Sequence, residues 1–236
     1  LVATMGRLQD FIASGDVTLS KMKFVVLDEA DRMVDSSDFG EEVCKILGPP
    51  EERKNQTILF SASFSEHLQA EDLPKIVKQG YTMLQVDKFG TANEKIDQQM
   101  LAVARADKRT ELYKLLGIDE NTMSILPDAQ IENEKTLIFV NSVKFCDTLA
   151  SNISNCGVSC IPMHSHQNQE QRDRTLDDFR RGKYKCMVAS NVCARGLNIA
   201  GLDHVINYDM PDKNGFDEYV NRIGRTARAG FTGVST

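Results

Sequence analysis

Long hydrophobic runs are missing from this sequence of 236 residues. No apolar stretch approaches the roughly 18 residues that a membrane-spanning helix needs, so we expect no membrane span. The sequence begins at Leu1 partway through a pattern of apolar and polar residues. It also lacks the charged segment followed by an apolar segment that marks a targeting peptide. We therefore expect a cytoplasmic protein and a chain cut from a longer one.

Metal-binding and disulfide patterns are missing as well. His164 and His166 have no nearby cysteine or acidic ligand set that would complete a zinc site. The six cysteines show neither C-x-x-C spacing nor a paired framework, which favours reduced, buried thiols over metal ligands or disulfides. They are Cys44, Cys146, Cys156, Cys160, Cys186 and Cys193.

An excess of positive charge is also lacking. The net charge of −6 argues against a protein coated in phosphate-binding residues, but it does not exclude a local basic track. One cluster of cations would suit a nucleic acid, although a solvated helix face is the simpler explanation for it. It comprises Arg172, Arg174, Arg180, Arg181, Lys183 and Lys185.

Short apolar runs alternate with helical periodicity, which predicts an α/β fold with parallel sheets covered by helices. We assign residues 1–88 to a first domain, the polar, glycine-containing residues 89–95 to a linker, and residues 96–236 to a second domain. A second polar stretch, residues 119–135, is predicted to be a surface insertion or a mobile loop. The predicted strands are Phe24 to Leu27, Thr57 to Phe60, Met83 to Val86, Thr136 to Val140, Cys186 to Ala189 and His204 to Tyr208.

The most informative segment is residues 24–31, F-V-V-L-D-E-A-D. Its four apolar residues predict a strand buried on both faces, and the strand ends in three carboxylates. Acids at the carboxyl end of a parallel strand can hold hydrated Mg²⁺ and polarise a water molecule, with Asp28 on the metal side and Glu29 on the water side. A solvated turn is the alternative.

The second half carries polar residues at predicted strand ends. Ser142 can cap a helix, and Asn141 and Ser142 would either cap or face a ligand. Gln169 and Arg172 are three residues apart on a helix that we predict to end near Gly182, so they share a face that suits a phosphodiester or plain water. The segment from Ser190 to Ile199 is either a phosphate-approaching loop or an ordinary strand exit.

Arg222, Arg225 and Arg228 recur at intervals of three. On a helix they would form a stripe about 9 Å long, in which three cations repel one another. A bound polyphosphate would compensate this charge, because guanidinium groups match phosphoryl oxygens.

Together these motifs resemble the DEAD-box RNA helicase family, in the family's order and over nearly the whole chain. The segments at residues 205–211 and 87–93 look most like its Vasa-like, germline branch. The matching motifs are Ib at residues 4–8, II at 28–31, III at 61–63, IV at 137–142, Q-x-x-R at 169–172, V at 190–198 and VI at 221–228.

The resemblance implies two RecA-like domains, of which the first is incomplete. It also implies ATP and Mg²⁺ as cofactors, and RNA-stimulated ATP hydrolysis coupled to local RNA unwinding and RNP remodelling. Asp28 would hold Mg²⁺ through water, Glu29 would position the hydrolytic water, and Arg225 and Arg228 would act as arginine fingers. Asn198 stands where the family has an aspartate near the ribose.

The resemblance also implies binding partners, a location in the cell and two further sets of functional residues. The partner would be single-stranded or locally unwound RNA, bound without sequence preference because backbone contacts carry no base code. RNP or germ-granule proteins are further expected partners, and perinuclear germ granules a possible location alongside the cytoplasm or nucleus. Positions that couple the nucleotide site to the domain interface are Asp31, Ser61, Ser63, Asn221 and Arg222. Positions near the RNA backbone are Thr4, Gly6, Arg7, Asn141, Ser142, Gln169, Arg172 and Ser190.

The sequence departs from the family pattern at several positions. The phosphate loop G-x-x-x-x-G-K-[ST] does not occur, so we expect this chain alone not to hydrolyse ATP. We also expect Gly233 to Thr236 to precede the last strand of the second domain. A turnover-deficient RNA-binding clamp or germ-granule scaffold, and a related helicase acting on DNA, are the alternatives. The replaced positions are Met5, Ser63, Ser165, His166, Asn198, Asn221 and Ala227.

Overall fold

The computed structural model divides the chain into two compact units, Leu1–Gly90 and Thr91–Thr236. No helix among the described residues is long and apolar enough to cross a membrane. The structure describes residues 1–34, 40–61, 68–85, 93–129, 131, 134–190, 199, 202–211, 215–227 and 232–236.

The first unit is built on two parallel strands. β1 pairs with β2 from Phe24 opposite Gln56 to Asp28 opposite Phe60. The helices that belong to this unit come before, between and after the strands. In chain order the elements are α1 (Met5–Ala13), β1 (Phe24–Asp28), α2 (Ala30–Val34), α3 (Gly40–Leu47), a 3-10 turn (Pro50–Glu52), β2 (Gln56–Phe60), a π-helical turn (Leu68–Asp72) and α4 (Leu73–Ile76).

Only one face of this small sheet is covered by described residues. Val25 and Leu27 pack into a core with Val34, while Phe24 is 61% exposed and Val26 is 55% exposed. The prediction of a strand buried on both faces is therefore wrong for β1, because nothing in the described part of the unit covers the second face.

The predicted strand at Met83 to Val86 is also not observed. Residues 81–85 have no regular structure, and Val86 lies outside the described residues. Between residues 81–84 and the outer edge of β2 lies a largely apolar cavity of about 570 Å³. The backbone of β2 has no second strand partner among the described residues.

The second unit contains a six-stranded sheet in which every neighbouring pair is parallel. The strand order is β3-β10-β9-β6-β8-β7. Its strands are β3 (Ile96–Gln98), β6 (Thr136–Val140), β7 (Cys160–Met163), β8 (Cys186–Ser190), β9 (His204–Asn207) and β10 (Gly233–Ser235). Its helices are α5 (Lys108–Leu115), α6 (Val143–Asn155), α7 (Gln169–Arg180) and α8 (Phe216–Ile223), and β4 (Ile118–Asp119) and β5 (Ser124–Ile125) form a separate antiparallel hairpin.

Alternate residues of the central strands pack into two hydrophobic cores, one on each face of the sheet. Ile138 and Val140 pack with Leu149 of α6 and Leu112 of α5, while Phe139 packs on the other face. Each fully buried apolar side chain contributes about 1.5–3 kcal/mol. The prediction of a parallel α/β sheet with helices on both faces is confirmed for this unit.

The helices predicted after Ser142 and at Gln169 are observed as α6 and α7. The polar stretch 119–135 includes β5 and a buried residue, Ile131, so it is more ordered than a plain loop. Residues Gly233–Ser235 form β10, which pairs with Ile96–Gln98 and with β9. That they precede the last strand of the second domain stays a prediction.

The cysteines of the described region match the expected burial with one partial exception. Cys146, Cys156, Cys160 and Cys186 are buried, and Cys44 is half-buried. Burial raises the pKa of the Cys186 thiol, which keeps it protonated and unreactive. Cys193 lies outside the described residues.

A substitution at Gly233 tests how closely the start of β10 packs against Thr226. A Cβ at this position would overlap the side chain of Thr226, whose hydroxyl donates to the carbonyl of Leu202 at 2.6 Å. We expect Gly233→Ala to destabilise the second unit by about 1–3 kcal/mol in denaturant unfolding. Gly6→Ala is the control, because a Cβ there meets nothing within 4 Å and alanine favours a helix. An unchanged midpoint for Gly233→Ala would contradict the packing.

The buried side chain of His204 is expected to make the stability of the second unit depend on pH. Burial lowers the pKa of this side chain, whose Nε2 lies 2.9 Å from the hydroxyl of Thr236. The unfolded state therefore binds the proton more tightly, so the stability that His204 contributes is complete above about pH 6.5 and is lost as the pH falls below it. We expect His204→Gln to flatten the fall in stability between about pH 6.5 and 5. An unchanged slope in the variant would show that other groups cause the fall.

Candidate functional site

The acidic turn of the first unit follows β1 directly. Glu29 has a φ of 52°, a left-handed conformation that is uncommon outside glycine. The next residue, Ala30, is fully buried and starts α2. Such a conformation costs about 1–3 kcal/mol, and strained residues of this kind cluster at functional sites. It leaves the side chains of both Asp28 and Glu29 exposed.

The two carboxylates suit a hydrated metal ion. Asp28 Oδ1 accepts a hydrogen bond from the backbone N–H of Glu29 at 3.0 Å, and Oδ2 has no partner within the described ranges. Mg²⁺ keeps several waters and takes one or two carboxylates from a protein. No group of three potential metal ligands occurs in the described part of the chain.

Ser61 lies close to this turn. It follows β2, whose last residue, Phe60, is paired with Asp28, so Ser61 and Glu29 extend neighbouring strand ends. Asp31 lies in the first turn of α2. Ser63 is outside the described residues.

The RNA candidates of the first unit lie at the start of α1. Thr4 precedes the helix, and its side chain caps no helix N–H. Gly6 is surrounded by open space. Arg7 lies 3.5 Å from Asp10 and 4.9 Å from the ring centroid of Phe11, and its side chain is 65% exposed. An exposed pair of this kind is weak, so the Arg7 guanidinium is available to a ligand.

In the second unit, three candidates lie where β6 and β8 end. Val140 is paired with Ser190, so Asn141 and Ser142 extend β6 beside the end of β8. Ser142 Oγ accepts from the backbone N–H of Phe145 at 3.4 Å, so this residue does cap α6. Ser190 is 2% exposed, and its hydroxyl has no hydrogen-bond partner in the described structure.

Gln169 and Arg172 lie in the first turn of α7. Gln169 donates to Asp173 of the same helix at 2.8 Å. The Nε of Arg172 is buried and has no hydrogen-bond partner among the described residues. Thr175, three residues further on, is buried, so Arg172 lies on the side of α7 that packs on the sheet.

Arg222 is the most extensively bonded of the candidates. It is 3% exposed, and its Nη2 donates to Asn141 Oδ1 at 2.9 Å and to Glu218 Oε1 at 2.8 Å. Its Nη1 donates to the backbone oxygen of Asp209 at 2.6 Å and to Asn207 Oδ1 at 3.4 Å. A predicted coupling residue therefore bonds directly to a predicted RNA residue.

The predicted helical stripe of arginines is wrong. The helix α8 ends at Ile223 because Gly224 caps it, and Ala227 has a φ of 54°. Arg222 lies in the helix and is neutralised by Glu218, whereas Arg225 follows the helix, and its Nε donates to the carbonyl of Asn221 at 3.1 Å. Arg222 therefore needs no bound anion for charge compensation.

Two predicted nucleotide residues, Asn198 and Arg228, lie outside the described residues. One residue that sequence reasoning missed is Asp209, which follows β9 at the same edge of the sheet. Its Oδ1 bonds to Lys108 Nζ at 2.9 Å, and its Oδ2 accepts from the backbone N–H of Asn141 at 3.1 Å. Its position just after a predicted strand was the available signal.

A cavity of about 760 Å³ lies at the opposite, amino edge of the same sheet. Four carboxylates line it, together with Lys95, and burial followed by the charge of Asp203 raises the pKa of Glu134. An acidic lining repels phosphate groups, so this cavity does not suit a nucleotide or RNA. The carboxylates belong to Glu94, Asp97, Glu134 and Asp203.

Comparison with known proteins identifies two parts of one family. Residues 107–230 match the Helicase conserved C-terminal domain, and residues 1–70 match the DEAD/DEAH box helicase family. The chain is 80% identical over its whole length to the ATP-dependent RNA helicase glh-4 of Caenorhabditis elegans, covering 20% of that protein. It is 39% identical to the ATP-dependent RNA helicase DDX4 of Mus musculus, with 99% of the chain and 31% of that protein covered.

Solved structures agree with this assignment. S. cerevisiae Dbp5 L327V bound to RNA and ADP BeF3 matches with a TM-score of 0.78 and 29% identity, over 99% of this chain and 57% of that one. Mss116p bound to ssRNA and AMP-PNP matches with a TM-score of 0.76 and 26% identity, over 99% of this chain and 47% of that one. This chain belongs to the DEAD-box helicase family, has its RecA-like fold, and is similar to the Vasa-like branch.

Proposed function

We propose that this chain forms part of an ATP-dependent RNA helicase, in which its first unit supplies catalytic carboxylates and its second unit binds RNA. Relatives of this name support the proposal, as do similar proteins solved with RNA and a nucleotide analogue. The chain spans 20% to 31% of the length of these two relatives, so the activity concerns the longer protein.

The observation that carries the proposal is the hydrogen bond between Arg222 and Asn141. Arg222 lies one residue after Asn221, which we assign to coupling, and three before Arg225, which we assign to the γ-phosphate. Asn141 lies at the strand end that we assign to RNA. A change at either end of this bond alters the other, so nucleotide and RNA binding would influence each other reciprocally.

The chemistry would be phosphoryl transfer to water. Asp28 would hold hydrated Mg²⁺, which neutralises charge on the phosphates, and Glu29 would orient the attacking water. Arg225 and Arg228 would stabilise the charge that develops on the γ-phosphate, and Asn198 would lie near the ribose. Asp31, Ser61, Ser63 and Asn221 would couple this chemistry to the second unit.

RNA would bind at the strand ends of the second unit and at the start of α1. Thr4, Gly6 and Arg7 would contact its backbone in the first unit, without sequence preference. ATP and RNA would both favour one arrangement of the units, and strain on one RNA strand would separate it from its complement. The matching residues of the second unit are Asn141, Ser142, Gln169, Arg172 and Ser190.

We further infer a role in RNP remodelling in the cytoplasm or in germ granules, from the similarity to the glh and DDX4 proteins. An RNA-binding clamp without turnover is the second candidate. It is favoured by Asn221 and Asn198, which replace a family histidine and aspartate, while the Arg222 network is intact.

Glu29→Gln tests the catalytic assignment in any longer protein that joins this sequence to a phosphate loop. We expect RNA-stimulated ATP hydrolysis to fall by about 10²- to 10⁴-fold, because the amide replaces one accepting oxygen by a donor and no longer orients the attacking water as the carboxylate does. Glu51→Gln, an exposed change in the same unit, is the control. This chain alone should show no hydrolysis. Equal rates for wild type and Glu29→Gln would favour the clamp.

Arg172→Gln tests the RNA site in this chain alone. We expect single-stranded RNA to bind about tenfold more weakly, with the salt dependence reduced by about 0.7 in slope, because one phosphate contact is lost. Arg174→Gln on the same helix is the matched control, since Arg174 is exposed and pairs with Glu170 at 2.6 Å. Equal losses in both variants would mean that general charge, rather than this site, binds the RNA.

A further inference from the structure

The arginine turn, residues 224–227, follows α8 and ends in a strained residue. Ala227 has a φ of 54°, a left-handed conformation in which the Cβ of any residue other than glycine crowds the following carbonyl oxygen. Strained residues persist only where the surrounding contacts hold them, and they cluster at functional sites. The turn carries Arg225, which we assign to the γ-phosphate, so the contacts that hold Ala227 bear on the proposed chemistry.

Two contacts hold the side chains of the arginine turn. The hydroxyl of Thr226 donates to the carbonyl of Leu202 at 2.6 Å. The methyl group of Ala227, a residue that is 3% exposed, packs in a small core with Ile96 of β3 and Ile223 of α8. Neither contact involves the carbonyl group of Ala227.

Asn93 holds that carbonyl group. Its Nδ2 donates to the oxygen of Ala227 at 3.1 Å, across 134 positions of sequence. Its Oδ1 accepts from the backbone N–H of Lys95 at 3.0 Å, which fixes the end of the side-chain amide that faces the turn. Asn93 is exposed, so core packing does not account for an asparagine at this position.

The contact joins the predicted linker to the arginine turn. Asn93 lies among residues 89–95, which we assign to the linker, and stands three residues before β3. β3 is tied to α8 as well, because the hydroxyl of Tyr219 donates to Gln98 Oε1 at 2.8 Å. Both ends of each contact belong to the second unit. The end of the linker, β3 and the arginine turn are therefore bonded to one another.

We propose that Asn93 is a positioning residue for Arg225. The start of the arginine turn is fixed by α8, since the N–H of Arg225 donates to the carbonyl of Arg222 at 3.1 Å. Asn93 fixes the other end of the turn through the carbonyl of Ala227. The guanidinium can then meet a developing charge without first ordering the turn, which is the advantage of a preorganised site. The inference rests on the proposed function, in which Arg225 stabilises charge on the γ-phosphate.

The first test measures hydrogen exchange of the backbone N–H groups in this 236-residue chain. Asn93→Ser removes the donor without adding charge, and its hydroxyl can still accept from the N–H of Lys95. We expect the N–H groups of Arg225 and Thr226 to exchange about three- to tenfold faster, the effect of one lost hydrogen bond on local opening, and those of α6 to be unchanged. Asn121→Ser, the same change on an exposed asparagine between β4 and β5, is the control and should leave the arginine turn unaltered.

The second test measures ATP hydrolysis by a longer protein that joins this sequence to a phosphate loop. We expect Asn93→Ser to lower kcat about three- to tenfold and to leave KM for ATP unchanged, because only a transition-state interaction is weakened. Asn93→Asp should lower kcat at least as much, because a carboxylate still accepts from Lys95 but cannot donate to Ala227. Asn121→Ser should hydrolyse ATP as the unaltered protein does.

Arg225→Gln separates positioning from general stability. Arg225→Gln alone should lower kcat, and adding Asn93→Ser should cause no further fall, because both changes act through one guanidinium.

Four outcomes would overturn the inference in different ways. Unchanged exchange at Arg225 and Thr226 in Asn93→Ser would show that Asn93 does not hold the turn, and would leave the proposed function intact. Full activity of Asn93→Asp would assign Asn93 to the backbone turn before β3 alone. An equal fall from Asn93→Ser with and without Arg225→Gln would show a merely structural role. Failure of the unaltered longer protein to hydrolyse ATP would overturn the proposed function, and this inference with it.

Discussion

One buried guanidinium holds the carboxyl edge of the second sheet together. Arg222 is almost completely enclosed, and its bonds to Asn141 and to the backbone oxygen of Asp209 join α8 to the ends of β6 and β9. Glu218 of the same helix compensates its charge. Removing one partner of a buried ion pair costs about 3–5 kcal/mol, because the other charge is left uncompensated. The arrangement of the edge therefore depends on this one side chain, and the loss of Arg222 would disturb three elements at once.

Parallel strands explain why the candidate residues gather at all. In both units the strands end at a common edge, so side chains far apart in sequence become neighbours there. Asp28 and Ser61 meet in this way in the first unit, and Asn141 and Ser190 do so in the second. The opposite edge of the second sheet carries an acidic cavity instead, which gives that sheet one edge suited to phosphates and one that repels them.

Local patterns predicted the parts of the fold that depend on nearby residues. The α6 cap at Ser142 and the span of α7 could be predicted because capping and helical periodicity act over a few residues. The exposed face of β1 could not be predicted, because the burial of a strand depends on which distant residues cover it. The prediction of a helical arginine stripe was wrong because Gly224 ends the helix. The glycine could have been recognised in the sequence as a helix stop, but the regular spacing of the arginines favoured a continuous helix. The bond from Arg222 to Asn141 joins residues 81 positions apart, which no local pattern predicts.

The most direct test of this account is ultraviolet cross-linking of single-stranded RNA to the chain, with the linked peptides identified by mass spectrometry. In the second unit, cross-links should map to the strand ends and the start of α7, near residues 141–142, 169–172 and 190. Cross-links concentrated at the amino edge, near Glu94, Glu134 and Asp203, would contradict the claim that the carboxyl edge is the RNA site.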